Sequence, residues 1–237
     1  MQAVIFGASG GIGRALVSQI AERPDISHIH AISRSGTEAA GKITPHTADI
    51  TSETDLAALA TTLKGAGEIA LVIVATGLLS DETGLQPEKS YRNQSMDAFE
   101  QVFRANTFGP ALVAKHMLPL MPRKGRAVFA ALSARVGSIT DNRLGGWHAY
   151  RASKAALNML MRNYAIEQAR VNDQFIAVTL HPGTVDTGLS RPFQSNVPDA
   201  QLFSPTQSAG YLLKVIEGLS PADTGKCFDW AGKEIPA

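Results

Sequence analysis

Short apolar runs alternate with amphipathic helical patterns along the 237-residue chain. This alternation predicts an α/β fold with a parallel, doubly wound sheet and helices on both faces. A glycine-rich turn between the first apolar run and the first helical pattern favours the same class, because a Rossmann-type domain begins with strand, glycine turn and helix. Chains of this length commonly form one α/β domain, so we expect a single domain over residues 1–237.

Each predicted strand is a short apolar run bounded by turn residues. The predicted strands are 3–6, 29–33, 43–48, 69–75, 127–132 and 175–180, with a last short strand at 226–229. Helical periodicity predicts helices over 12–22, 52–63, 96–120, 149–170 and 206–217. Two stretches rich in turn residues, 78–95 and 189–204, are expected to be long surface loops that carry function.

The composition argues against several classes of protein. Lys and Arg total 22 against 21 Asp and Glu, and the basic segment 123–126 falls at an expected turn, so we expect no nucleic-acid partner. The single cysteine, Cys227, is expected to be a small buried side chain, and no histidine has a second ligand at metal-binding spacing. No signal peptide or membrane-spanning run is recognised, and a cytoplasmic location is expected.

The glycine turn has the composition of an anion-binding loop. Gly7, Gly11 and Gly13 allow a tight turn, close approach of the backbone to a pyrophosphate and close packing of helix on strand. The helix that follows offers free amide groups to an anion. We therefore predict that Gly7, Ser9, Gly11, Ile12 and Gly13 bind a dinucleotide.

Tyr150 and Lys154 are four residues apart, which places them on one face of a predicted helix. A phenol titrates near pH 10, so it becomes useful in proton transfer at neutral pH when a neighbouring cation favours the phenolate. We expect Lys154 to lower the pKa of Tyr150 in this way.

Three further motifs lie between and after these two. They are Asp49-Ile50 after the third strand, Asn106 in the long middle helix, and Pro182-Gly183-x-Val185-x-Thr187 after the sixth strand. With these five motifs in this order, the chain resembles the short-chain dehydrogenase/reductase family over essentially its whole length. Its loop 137–146 is similar to that of a subgroup containing C-factor and some carbonyl reductases.

The resemblance implies a role for each matching residue. Tyr150 would be the general acid or base, Lys154 would bind the nicotinamide ribose, and Asn106 would order a water. Asp49 and Ile50 would lie against the adenine. The segment with Pro182, Gly183, Val185 and Thr187 would hold the nicotinamide carboxamide and the phosphates. The family's segment after the fourth strand is altered here, and its surviving residue, Gly77, is assigned to the cofactor site.

The position of the family's catalytic serine is ambiguous. Ser133 ends the fifth predicted strand, where a side chain can point into the crevice. The family spacing Ser-x-x-Gly instead falls on Ala134, and the distance to Tyr150 favours Ser138. We predict Ser133, with an insertion at 141–147 accounting for the extra distance.

The end of the second predicted strand indicates the cofactor. It reads Ile32-Ser33-Arg34-Ser35, without the carboxylate that NAD-binding relatives use for the ribose hydroxyls. A guanidinium suits a 2′-phosphate, so NADP(H) is favoured over NAD(H), with Arg34 as its ligand and Arg14 as the alternative.

These residues together predict an NADP(H)-dependent carbonyl reductase or alcohol dehydrogenase. Its partner is a small-molecule carbonyl or alcohol substrate, and a homodimer or homotetramer is expected. The alternative is a nucleotide-binding regulatory or signalling protein of the same fold that turns over little.

Overall fold

The structure is a computed structural model, and it describes residues 1–195 and 197–237. Ten strands form two sheets. They are β1 (Gln2–Phe6), β2 (His28–Ser33), β3 (Ile43–Thr47), β4 (Ile69–Val74), β5 (Ala127–Leu132), β6 (Phe175–His181), β7 (Thr184–Val185), β8 (Leu202–Phe203), β9 (Cys227–Asp229) and β10 (Glu234–Ile235). The large sheet has the order β10-β9-β6-β5-β4-β1-β2-β3, and β7 pairs with β8 in the small one.

The strands of the large sheet are parallel, except that β10 runs antiparallel to β9. The sheet is covered on both faces by helices. These are α1 (Gly11–Ala21), α2 (Glu53–Leu63), α3 (Met96–Phe103), α4 (Gly109–Met117), α5 (His148–Gln168) and α6 (Pro205–Gly218). Side chains of α1 and α6 form one core with the sheet, and side chains of α2, α4 and α5 form the other. The predicted doubly wound α/β class is confirmed.

Burial on both faces explains why the central strands read as continuous apolar runs. All six residues of β4 and all six of β5 are buried. Strands covered by helices on both sides have no polar face, so an alternating pattern is not expected in them.

The winding of the chain places a crevice beside β1. From β1 the chain moves outward through β2 to β3, and it then returns to β4 and continues in the opposite direction through β5 and β6. In parallel α/β sheets, ligands bind outside the carboxyl ends of the strands at this switch point. The crevice here opens between β1 and β4.

The helix predicted over 96–120 is interrupted. Its middle is a π-helical turn, Arg104–Phe108, between α3 and α4. Pro110 gives a physical reason, because it has no N–H to donate to the carbonyl of Asn106 four residues earlier and its ring crowds that carbonyl. The wider turn accommodates the proline without ending the helical path.

The two predicted loops are more ordered than the sequence suggested. Asp81 accepts hydrogen bonds from the backbone amides of Thr83 and Leu85 within 78–95. The predicted loop 189–204 contains two short 3-10 turns, Arg191–Phe193 and Asp199–Gln201, and strand β8. Residue 196 of that loop lies outside the described residues.

Across residues 1–195 and 197–237, no helix has the length and apolarity needed to cross a membrane. Within the same residues, no three His, Cys, Asp or Glu side chains are grouped so that they could bind a metal ion.

Candidate active site

The glycine turn lies at the carboxyl end of β1 and requires at least two of its glycines. Gly7 has a φ of +81°, and a Cβ there would lie 2.8 Å from the carbonyl oxygen of Ala75. A Cβ on Gly13 would overlap the carbonyl of Gly7, so the start of α1 packs directly on the turn. The turn therefore brings the first amides of α1 to the crevice, where they are available to an anion.

Two adjoining cavities, of about 290 and 350 Å³, form the crevice and share Gly10 and residues 75–77. The first cavity is lined by the predicted cofactor residues Gly7, Ser9, Arg34, Asp49, Ile50 and Gly77. The second cavity is lined by the predicted residues Gly11, Ile12, Gly77, Ser133, Tyr150, Lys154, Pro182 and Thr187. Residues from many separate elements thus meet along one continuous groove.

Three of the predicted cofactor residues do not line either cavity. Gly13 packs on Gly7, and Gly183, with a φ of +79°, faces the ring of Phe203. Val185 is buried in β7. Their contacts are with the protein, and they support the walls of the groove from behind.

Tyr150 and Lys154 lie in the first two turns of α5, and both are buried. The Lys154 ammonium donates a hydrogen bond to the carbonyl of Leu132 at 2.8 Å, and it lies 5.8 Å from the centre of the Tyr150 ring. Burial raises the pKa of Tyr150 to about 12, opposite to the lowering expected from the sequence, and burial also lowers the pKa of Lys154 to about 8. Desolvation therefore dominates at both groups.

Asn106 connects the altered segment after β4 to the helix that carries Tyr150. Its amide accepts a hydrogen bond from the backbone N–H of Leu78 and donates to the carbonyl of the same residue, each at 2.8 Å. It also donates to the Ser153 hydroxyl at 3.2 Å. Both amide hydrogens are thus used within the protein, and Asn106 fixes the position of α5 relative to β4.

The end of β2 presents polar groups to the first cavity. Arg34 and Ser33 line it, and the buried Ser33 hydroxyl has no hydrogen-bond partner. Arg14 lies beside a neighbouring cavity and donates to the carbonyl of Ser9 at 3.3 Å. Unpaired buried hydroxyls are costly, so the Ser33 hydroxyl is a group that a water or a polar ligand in the cavity could satisfy.

Comparison with known proteins shows the family of the chain. The family model described as short chain dehydrogenase matches residues 1–198. The chain belongs to this family. It is 30% identical over 226 residues to 1-hydroxy-2-glutathionyl-2-methyl-3-butene dehydrogenase of a Rhodococcus species, covering 94% of this chain and 93% of that protein.

This short chain dehydrogenase also resembles two other proteins. It is 38% identical over 136 residues to C-signal of Myxococcus xanthus, covering 57% of this chain and 76% of the relative. Its fold superposes on NADPH-bound carbonyl reductase from chicken fatty liver with a TM-score of 0.84 at 24% identity, covering 100% of this chain and 98% of the other.

Three positions compete for the role of the catalytic serine that the sequence predicts, and the structure places them differently. Ser133 lines the second cavity, but its hydroxyl donates a 2.8 Å hydrogen bond to Asn158. Ala134 packs in the apolar cluster that contains Tyr150. The Ser138 hydroxyl accepts a hydrogen bond from the Asp141 amide, and Ser138 does not line the cavity. Ser133 is therefore the serine that shares a cavity with Tyr150.

The mouth of the site is apolar. The ring of Trp147 contacts the ring of Tyr150 edge-on, with centroids 6.2 Å apart, and lies 5.2 Å from the ring of Phe193. Buried Leu79 and Leu85 from loop 78–95 belong to the same cluster. The structure thus places Trp147 against the candidate acid.

Two residues beside the site were not identified from the sequence, Asn158 on α5 and Glu88 in loop 78–95. Asn158 follows Lys154 by four positions, as Lys154 follows Tyr150. The same helical spacing, continued by one turn, therefore predicts that Asn158 lies on the same face of the helix. Glu88 is buried in loop 78–95 against the start of α5. No local signal marks Glu88, because the two segments are far apart in sequence.

Proposed function

We propose that the protein is an NADP(H)-dependent oxidoreductase that interconverts a carbonyl compound and its alcohol, with Tyr150 as the general acid or base. The observation that carries this proposal is the shared cavity. Tyr150, Lys154 and the first residues of α1 line the same cavity, so a proton donor lies in the cavity proposed to bind the dinucleotide. The whole chain, residues 1–237, is proposed to act as one domain.

The residues of the crevice fit a dinucleotide. The backbone around Gly7 leaves no room for a side chain, the amides of α1 face the groove, and the orphaned Ser33 hydroxyl is adjacent to Arg34. Arg34 and Ser33 would hold the 2′-phosphate, Asp49 and Ile50 the adenine side, and Pro182 and Thr187 the nicotinamide side. When bound, the nicotinamide supplies or accepts the hydride. The NADPH carried by the chicken carbonyl reductase supports this choice of cofactor.

The protein's own groups handle the proton. With a pKa of about 12, Tyr150 is a neutral phenol at neutral pH, which is the form that donates a proton as charge develops on a carbonyl oxygen. The Lys154 ammonium, close to the phenol in a buried site, stabilises the phenolate that remains.

Ser133 is the proposed second donor to the carbonyl oxygen. To serve in that role, its hydroxyl has to turn from Asn158 to the substrate, because the structure shows it donating to Asn158. A donor aimed at a developing oxyanion strengthens its bond as the charge grows.

The substrate is proposed to be a small or medium apolar carbonyl compound or alcohol. The cluster around Tyr150 includes Ala134, Trp147, Leu189 and Phe193, all apolar. Apolar walls bind apolar groups, and the few polar groups fix the orientation of the carbonyl.

A regulatory protein of the same fold is the second candidate, since C-signal is among the relatives. Such a protein would bind NADP(H) without turning over a substrate. The pairing of Tyr150 with Lys154 favours the enzyme, because binding alone does not require a proton donor.

The decisive experiment compares Tyr150→Phe with Tyr164→Phe. Tyr164 lies on the same helix and packs edge-on against Phe129, so its variant controls for the loss of a phenol from α5. We expect Tyr150→Phe to lose roughly 10²–10⁴-fold in turnover of an aldehyde and ketone panel, the range for one positioned proton donor. Cofactor affinity, measured by NADPH fluorescence, should change little. A Tyr150→Phe protein with wild-type turnover would contradict the assignment.

A homodimer or homotetramer in the cytoplasm is proposed as the working form. Met96 and Phe108 are largely exposed around an apolar groove beside α3, and a second copy of the chain would cover them. Light scattering on the purified protein tests the oligomeric state.

A further inference from the structure

Glu88 is a buried carboxylate without a cationic partner. Only 4% of its surface is exposed, and among the described residues no Lys, Arg or His lies within ion-pair distance of it. A buried charge is costly unless other groups compensate it. The partner of Glu88 is the beginning of α5.

The contact between Glu88 and α5 uses both the side chain and the backbone. Both carboxylate oxygens accept from the amide of Ala149 at 3.3 Å, and the Glu88 carbonyl accepts from the amide of Trp147 at 2.5 Å. The helix has no capping side chain of its own and no acidic residue in its first turn. Glu88 therefore satisfies free amides and complements the helix dipole from 61 residues away.

The contact also holds a strained residue. Trp147, immediately before α5, has φ 51° and ψ 44°, and it is the one non-glycine residue with positive φ in the described part of the chain. A bulky side chain in this region is strained and persists only where its surroundings fix it. The Trp147 ring packs on Tyr150, so the strained turn sets the position of the phenol.

Loop 78–95 thus contacts the catalytic groups at two points. Near its start, Leu78 is held by Asn106, and further along Glu88 holds the first turn of α5, in which Tyr150 is the third residue. The first turn of a helix is less constrained than its middle, because its amides lack intrahelical partners.

We propose that Glu88 is a positioning residue that fixes the first turn of α5 and thereby aligns Tyr150 with the reacting carbonyl oxygen. This inference rests on the proposed function for its effect on turnover. Its effect on the helix is independent of that function, and the two can be measured separately.

The test uses two variants that separate the length of the side chain at position 88 from its charge. Glu88→Gln keeps an oxygen acceptor at the same distance, whereas Glu88→Asp keeps the charge and shortens the side chain, so that it no longer reaches Ala149. Asp81→Asn is the matched control, because Asp81 accepts backbone hydrogen bonds in the same loop without contacting α5.

We expect Glu88→Asp to lower kcat about tenfold or more, since small displacements of a reacting group cost up to about 100-fold. Its NADPH affinity should stay within about twofold of wild type, because the positioned group is not a main cofactor contact. Amide hydrogen exchange should accelerate most in segment 147–152 of Glu88→Asp. It should accelerate less in Glu88→Gln, which keeps an acceptor but loses the charge that complements the helix dipole. Asp81→Asn should stay close to wild type.

Wild-type kcat and exchange in Glu88→Asp would overturn the proposal, as would an equal acceleration of exchange along the whole chain. If the wild-type protein reduces no carbonyl compound, the proposed function fails. The exchange measurement then still decides whether Glu88 fixes the start of α5.

Discussion

Replacing Lys154 with methionine should abolish turnover and at the same time stabilise the fold. Burial lowers the pKa of Lys154 from 10.5 to about 8, so the folded protein holds its ammonium at a cost. At about 1.4 kcal/mol per pH unit, this cost is about 3 kcal/mol at pH 7. Methionine of similar length carries no charge and avoids it.

Part of the gain is offset by a lost hydrogen bond. The Lys154 ammonium donates to the carbonyl of Leu132, and a hydrogen bond from a charged donor contributes about 1.5–3 kcal/mol. The net stabilisation is therefore at most about 1.5 kcal/mol at pH 7. For a chain of this size it corresponds to a rise in Tm of at most roughly 3–6 °C.

The pH dependence distinguishes this explanation from better packing. Between the folded pKa of about 8 and the unfolded value of 10.5, the unfolded chain binds more protons at Lys154 than the folded chain. Wild-type stability therefore rises with pH in this window relative to Lys154→Met. The difference in unfolding free energy should shrink toward zero near pH 9.5.

Urea unfolding of wild type, Lys154→Met and the exposed control Lys214→Met at pH 7 and pH 9.5 measures these differences. The control should leave stability nearly unchanged at both values. A destabilised Lys154→Met protein at pH 7, or a gain that persists unchanged at pH 9.5, would refute the reasoning.

Two further predictions concern the cofactor and the second donor. Arg34→Asp should weaken NADPH binding roughly ten- to hundredfold, because one charge-assisted hydrogen bond contributes about 1.5–3 kcal/mol. The variant should prefer NADH. An unchanged ratio of NADPH to NADH affinity in fluorescence titrations would exclude Arg34 as the residue that selects the cofactor. Ser133→Ala should lower kcat roughly 100-fold, the scale for one oxyanion donor, while Ser138→Ala has little effect. Unchanged kcat in Ser133→Ala would leave Tyr150 as the sole donor to the carbonyl oxygen.

The main strands were predictable because burial on both faces leaves a simple pattern. The sequence predicts β4 over 69–75, and the structure gives Ile69–Val74. The short strands β7, β8 and β10 were not predicted, since two residues do not produce a pattern.

The candidate site was predictable where local spacing determines it. Tyr150 and Lys154 share a helix face, and the glycine turn follows a strand, so both could be found from the sequence. The direction of the Tyr150 pKa was predicted wrongly, because burial depends on tertiary packing rather than on the neighbouring lysine. The contact of Glu88 with Ala149 also depends on the folded chain, since the two residues are far apart in sequence.

The π-helical turn at Arg104–Phe108 makes the fold sensitive to the number of residues in this segment. Such a turn contains one residue more than regular α-helical bonding requires. Each residue in a helix accounts for about 100° of rotation, so deleting one residue here would turn α3 and α4 relative to each other by about that angle. Asn106 and the buried face of α4 could not then both keep their contacts. The loss of one codon in this segment is therefore expected to cost either the link between β4 and α5 or part of the core.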